Sequence, residues 1–345
     1  MGENSFNLSL KFLDEKIFFK YLLDSKNNSP EEEETPKEMT GKVSTIPFNF
    51  GGLPHDQSRW ENSRLVFLPV PYDLTSTYLP GSRRGPMAIL EASTHMELFD
   101  EELEGETSRV GFHTLDPLEA LASGPQEMIR EIETAVGPVL QADKFPVLLG
   151  GEHTITLGAA KTLKKRYPQL SFLQLDAHAD LRDSYEGTPF SHACVGRRLV
   201  ELGPLVQVGI RSLTREENLF IAEGRVKTFF WHRLAELPQW EEEVCQALSP
   251  QVYVTIDLDV FDPAIMPSVG TPEPGGLDWR AVTGLLRRVA QKKTVVGFDV
   301  VELTPIPGMI APDFLAAKLI YRFVGEIFRS SLSREKDSLS FKEII

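Results

Sequence analysis

The chain has 345 residues, 41% of them hydrophobic, so it can bury a sizeable core as one large α/β domain or as two ordinary ones. With 36 Lys and Arg against 50 Asp and Glu the net charge is −14, which argues against a nucleic-acid partner and would welcome a small cation. No apolar run reaches the roughly 18 residues of a membrane span, and two cysteines, Cys194 and Cys245, are too few for a disulfide framework and fit small buried positions.

Residues 6–24 carry an apolar stripe (Leu8, Leu10, Phe12, Leu13, Ile17, Phe18, Tyr21, Leu22) that predicts a helix, and 25–43 are polar, acidic and proline-containing, as in a linker. The start lacks a basic segment followed by an apolar stretch and a cleavage site, so a cytoplasmic protein is expected. Residues 1–45 are thus an appendage, 46–330 the main domain, and 331–345 a polar tail.

From Leu65 short apolar runs alternate with amphipathic stretches. A strand at 65–70 precedes a Gly/Pro loop and a helix started by Pro86 that runs through about Leu103. A helix from Ser123 buries Met128, Ile129, Ile132, Val136, Val139 and Leu140. Strands follow at 145–149, 171–175, 206–210, 226–230, 252–256 and 295–301, with helices at 156–167 and 241–248. Asp278 caps a helix that buries Val282, Leu285, Leu286 and Val289, and Asp313 caps a last one bearing Leu315, Leu319, Phe323 and Ile327. This alternation predicts an α/β fold, a doubly wound, mostly parallel sheet in three layers with helices on both faces.

Ligands gather at the carboxyl ends of strands in such sheets. His153, Asp176, Asp257 and Glu302 each stand directly behind, or within a few residues of, an apolar run. Behind Asp176 come His178 and Asp180, and behind Asp257 comes Asp259, at alternate positions that share a face if the chain stays extended. Three segments therefore supply six donors, His153, Asp176, His178, Asp180, Asp257 and Asp259, and so many acids beside a core require a positive charge. Carboxylates with imidazoles suit Mn²⁺, Zn²⁺, Fe²⁺ or Ni²⁺ better than Ca²⁺, and six donors suit two ions that together ionise a water. A Cys194–His192 nucleophile pair is the minor alternative, without a matching local signature.

GGEHT at 150–154, DAHAD at 176–180 and DLDVFDP at 257–263 resemble the three signature blocks of the ureohydrolases, a family that includes arginase and agmatinase. The resemblance spans roughly residues 65–329 and implies an arginase-like fold, a binuclear metal site on the six donors and hydrolysis of a guanidino group to urea. Mn²⁺ is the expected metal and Ni²⁺ the alternative. Asp176, Asp180 or Asp257 would bridge the ions. By the same resemblance His192 falls where the family keeps a proton-shuttling histidine, Glu302 where a carboxylate pairs with the guanidinium, and Asp180 or His192 would deliver the proton to the departing amine. Arginase carries an Asn and a Ser-bearing loop after its second block, whereas this chain has Leu181-Arg182-Asp183 and then Tyr185 to Pro189. GTPEPGGL at 270–277, with Thr271 facing substrate, and LAAKLIYRF resemble the agmatinase branch. Agmatine is therefore the expected substrate, free guanidine with Ni²⁺ or a guanidino acid the alternative, and a catalytically silent metal-binding interaction protein the reading from another class. The family's habit implies a homo-oligomer, a trimer or hexamer.

Overall fold

The apolar runs lie side by side in one sheet. A computed structural model describes residues 46–234 and 236–332. The helix expected at 6–24, the linker at 25–43 and the tail, apart from Ser331 and Leu332, lie outside the described residues.

In chain order the strands are β1 (Leu65–Val70), β2 (Phe99–Asp100), β3 (Gly105–Glu106), β4 (Phe112–Thr114), β5 (Phe145–Gly150), β6 (Ser171–Leu175), β7 (Leu205–Ile210), β8 (Lys227–Phe230), β9 (Gln251–Asp257) and β10 (Thr294–Val301). Eight of them form a sheet of order β4-β1-β5-β10-β9-β6-β7-β8 in which every pairing is parallel. Alternate side chains feed two cores. On β5, Val147 and Leu149 join the layer that holds the helices Gly85–Ser93, Trp240–Ala247, Trp279–Lys292 and Ala311–Ile327. Leu148 faces the opposite layer, with the helices Pro125–Gln141, Thr156–Arg166 and Val195–Leu202. The doubly wound, three-layer architecture expected from the alternation is the one observed. Among the described residues no helix is long and apolar enough to cross a membrane.

Local expectations fared unevenly. All six apolar positions named on the helix Pro125–Gln141 are buried, and Asp278 caps its helix by accepting from the Ala281 N–H at 2.8 Å. The helix expected through Leu103 ends at Ser93 instead, where Ser93 and Thr94 hydroxyls bond back to the carbonyls of Leu90 and Glu91. Beyond it Asp100, fully buried, accepts from the N–H groups of Glu102 and Leu103 and turns the chain into the β2–β3 hairpin. Asp313 is not a cap. Pro312 occupies the first turn of a helix that already begins at Ala311, so Asp313 lies inside that turn. The helices Val195–Leu202 and Arg215–Ala222 were not foreseen.

The order of strands positions the site. The chain passes from β5 to β6 across the places later filled by β10 and β9, so these four are consecutive neighbours with their carboxyl ends together. That crossing is a topological switch point, where a crevice opens beyond the strand ends.

Candidate metal centre

Each of the four central strands delivers its acid or imidazole at its carboxyl end: Asp257 as the last residue of β9, Asp176 and Glu302 directly after β6 and β10, and His153 three residues after β5. After β5 the chain turns at Gly151 so close to β1 that a Cβ there would lie 2.0 Å from the Tyr72 carbonyl oxygen. This close approach brings His153 over the sheet end, where it is 1% exposed. Its Nδ1 stands 3.2 Å from Asp176 Oδ2, 3.2 Å from Asp180 Oδ2 and 3.4 Å from Asp257 Oδ2, yet makes no hydrogen bond of acceptable geometry.

Its other nitrogen fixes the tautomer. His153 Nε2 is 2.8 Å from Thr255 Oγ1, and that hydroxyl donates its only hydrogen to Asp299 Oδ1 at 2.6 Å. Asp299 also accepts from Tyr253 Oη at 2.6 Å, so the carboxylate takes hydrogens from both sides. His153 Nε2 must then be the donor to Thr255, which leaves the Nδ1 lone pair facing three buried carboxylate oxygens. Such a cluster is strongly repulsive unless a proton or a cation sits in it.

A second group shares a member with the first. His178 Nδ1 is 2.8 Å from Asp259 Oδ2 and 3.8 Å from Asp176 Oδ1. Asp176 thus belongs both to the set His153, Asp176, Asp257 and to the set Asp176, His178, Asp259, each able to hold one ion. Backbone N–H groups orient the acids: Ala177 donates to Asp259 at 2.9 Å, His178 to Asp176 at 2.6 Å, and Asp259 to Asp257 at 2.9 Å. All six donors named from the sequence converge, but not on extended chains. Strand β6 ends at Leu175 and Asp180 has φ 51°, while Asp257 caps a 3₁₀ turn over Leu258–Val260. Tight bends, stabilised by these N–H···carboxylate bonds, bring the groups together where alternation alone would not.

Protonation follows from crowding. Burial, with the charges of Asp180 and Asp259, pushes Asp176 up to about 7, and burial drives Asp257 well above the usual carboxylate range. Burial opposes charge on His178, but the adjacent Asp259 outweighs it and lifts the imidazole to about 11. His153 is raised in the same way, its burial overcome by Asp176, Asp180 and Asp257. Without an ion, protons stand where a cation would. The donor chemistry, carboxylate oxygen with imidazole nitrogen in two groups sharing an acid, fits a pair of divalent ions.

A cavity of about 320 Å³ opens over the centre and is lined by His192, Thr271, Glu302, Tyr78, Arg182 and Tyr185, among others. Thr271 lies at its exposed rim. Glu302, with φ 68°, follows β10 and accepts the His153 N–H at 2.7 Å. Burial and the nearby Glu152 raise its carboxyl well above the usual range, and among the described residues no cationic side chain pairs with it. His192 presents its ring edge-on to Tyr185, 6.3 Å between centroids, and burial holds its imidazole below the ordinary value, hence neutral. Cys194 has no part in this: burial pushes its thiol up to about 11, and Sγ points to the Thr188 carbonyl at 3.9 Å.

Several supporting residues escaped the sequence reading. Arg211, in the loop after β7, donates to the carbonyls of Asp259 at 2.7 Å and Glu273 at 2.8 Å, pinning the Asp259 loop to the 270–277 loop. Thr255, Asp299 and Glu152 are fully buried polar residues within or beside apolar runs. A polar residue inside an otherwise apolar strand was the available signal.

The family model described as the Arginase family matches residues 63–325. The chain is 41% identical over 283 residues to an N(1)-aminopropylagmatine ureohydrolase of Thermus thermophilus, covering 81% of this chain and 96% of that protein. It is 38% identical over 274 residues to the protein of the same name from a Synechocystis species, covering 77% and 90%. Among solved structures it is similar to the agmatine ureohydrolase of Thermoplasma volcanium, with TM-score 0.74 and 32% identity, covering 84% of this chain and 96% of that one.

Proposed function

This chain belongs to the arginase family and is a ureohydrolase acting on guanidino compounds, and from that premise we propose that it hydrolyses agmatine to putrescine and urea. One observation carries the reading: Glu302, a carboxylate on the cavity wall beside two cation-holding groups, lacks any cationic partner of its own among the described residues. A planar guanidinium matches a carboxylate through two parallel hydrogen bonds, and its charge would return Glu302 to the ionised state.

His153, Asp176, His178, Asp180, Asp257 and Asp259 would hold two ions, Mn²⁺ first and Ni²⁺ as the alternative. When bound, that pair supplies a water ionised at neutral pH, which the poorly electrophilic guanidinium carbon requires. The protein's own groups do the rest. Glu302 fixes the guanidinium, with Thr271 at the rim beside the substrate's tail. His192, neutral and half-buried, exchanges a proton with the reacting group, and Asp180 or His192 protonates the departing amine.

A second substrate reading is favoured by the relatives' printed name. The cavity is open at Tyr78 and Thr271, so agmatine extended by an N1-aminopropyl arm can project its amine outward. Free guanidine with Ni²⁺ remains the third, and a homo-oligomer, trimer or hexamer, belongs to the same proposal. The deciding experiment is urea release from agmatine, N1-aminopropylagmatine, guanidine, arginine and guanidinobutyrate, with Mn²⁺ and with Ni²⁺. We expect agmatine, or its aminopropyl derivative, to lead under Mn²⁺. Background rates for both under either metal would sink the proposal, and background rates for the whole panel would favour the silent metal-binding reading.

A further inference from the structure

We propose that Gln174 is a positioning residue of the candidate metal centre: Gln207, anchored on a backbone carbonyl, turns the Gln174 amide so that its N–H is fixed on Asp176, the acid common to both cation groups. Its effect on ion binding rests on the two-ion reading of that centre and not on the choice of substrate; the direction of the amides rests on neither.

Gln174 and Gln207 are fully buried polar residues inside apolar strands. They stand opposite each other on β6 and β7, with Thr228 of β8 next on the same rung. Gln207 Nε2 lies 2.6 Å from the Ala179 carbonyl oxygen and 2.9 Å from Gln174 Oε1. A backbone carbonyl can only accept, so the Gln207 atom facing it is the nitrogen, and the oxygen of the same amide accepts from the Thr228 hydroxyl at 3.0 Å. The second hydrogen of that nitrogen then requires an oxygen on Gln174. Reversing Gln174 would set one NH₂ group against another, so its own nitrogen is the atom 2.7 Å from Asp176 Oδ2. The direction is set by a backbone carbonyl and not by the charge of any acid, so it is the same with Asp176 ionised or protonated.

Asp176 is thereby held at both oxygens. Oδ1 accepts the His178 N–H at 2.6 Å and Oδ2 accepts from Gln174, while Oδ2 lies 3.2 Å from His153 Nδ1 and Oδ1 lies 3.8 Å from His178 Nδ1. A carboxylate that serves both groups cannot rotate without leaving one of them, and a neutral N–H resists that rotation without competing as a charge for the ion. Gln207 also ties the Ala179 carbonyl, between His178 and Asp180, to β7. The helix Val195–Leu202 closes over this network at Gly196, where a Cβ would lie 2.7 Å from the Ala179 oxygen and 3.1 Å from Gln174 Oε1. On its other side Gln174 is in register with Thr255 of β9, which holds His153. One rung of the sheet thus orients both His153 and Asp176.

Neutron diffraction from crystals of the perdeuterated full chain distinguishes amide nitrogen from oxygen and decides the direction in the wild type. Deuterium on the Gln174 nitrogen, pointing at Asp176, is expected; a Gln174 oxygen facing Asp176 overturns the proposal whether or not any variant folds. Binding is read by calorimetric titration of the full chain with Mn²⁺. Gln174→Leu should weaken the affinity about 10–100-fold, and Gln207→Leu should weaken it less. The double variant should lose less than the two single losses combined, because both residues act through one hydrogen bond. Wild-type affinity in Gln174→Leu, or fully additive losses, contradicts the positioning role, and so does a wild type that binds no Mn²⁺. A wild type that binds Mn²⁺ but releases no urea from the substrate panel defeats the proposed function, while the diffraction and the variant affinities still decide the role of Gln174.

Discussion

Two clusters in this molecule bury carboxylates, and they solve the problem of charge in opposite ways. Around Arg322, which is 5% exposed, the acids come with their own cations. Arg322 Nε lies 3.1 Å from Asp100 and Nη2 lies 2.8 Å from Glu101, while Arg287 and Arg329 reach the buried Glu326 at 2.9 and 2.8 Å. At the strand ends no arginine or lysine among the described residues forms an ion pair with the five acids Asp176, Asp180, Asp257, Asp259 and Glu302: the first four meet imidazoles, Glu302 accepts a backbone N–H, and Arg211 spends its hydrogens on carbonyls. There the carboxyls of Asp176, Asp257 and Glu302 are pushed upward. The difference teaches that a buried acid cluster with arginines is a staple, whereas one without them is a place prepared for a cation from outside. The guanidinium of a substrate and the cations that the two groups could hold would answer the same deficit.

The contrast can be broken at either end. The largest effect is expected from Asp176→Asn, which removes the acid shared by both cation groups. Urea release should fall to background and metal content should drop, while thermal melting without metal stays near or above wild type because a crowded charge has gone; retained activity would refute the shared role. Next comes Arg322→Met, which should cost about 3–5 kcal/mol of stability by stranding Asp100 and leave the metal content of the folded fraction unchanged. Urea titration of the variant reads the first part and metal analysis the second.

A smaller change should follow Thr255→Val. Losing the hydroxyl that accepts from His153 frees the imidazole to rotate or to take the other tautomer, and metal affinity should weaken about 10–100-fold. Calorimetric titration checks this, and an unchanged affinity would mean that packing alone orients His153. The mildest probe is pH. Asp176, lifted to about 7, and His178, lifted to about 11, carry protons in the metal-free protein that must leave when ions bind. The free state therefore binds more protons, so affinity rises with pH and falls on acidification, by about tenfold or more per unit below pH 7. The Arg322 cluster, already compensated, should show no such dependence in its contribution.

Much of the strand-end region was legible because its grammar is local. An apolar run long enough for a buried parallel strand, closed by His, Asp or Glu, marks the sheet end and a candidate site group at once, and His153, Asp176, Asp257 and Glu302 were found that way. The conformation that joins them was not legible: Asp180 adopts a left-handed φ beside Leu181, whose N–H is held by the distant Glu217, and Asp257 caps a 3₁₀ turn through the Asp259 N–H two residues on, neither of which alternate spacing reveals. The Arg322 cluster was missed altogether. Its partners lie about two hundred positions apart, and the run that contains Asp100 reads as the continuation of a helix until the arginine that buries it is in view. Thr75 and Glu152 were hidden for a related reason, since a threonine in a Gly/Pro loop gives no sign of the buried acid it meets.

The central claim is that the strand-end acids await cations, and metal-dependent turnover tests it most directly. Chelated protein would be titrated with Mn²⁺ while bound metal per chain and urea release from agmatine and N1-aminopropylagmatine are followed together. The account predicts that binding saturates at two ions per chain and that urea release rises with occupancy of the sites containing His153 and His178. Urea release by the metal-free protein, or saturation with no ion lost in Asp176→Asn, would contradict it.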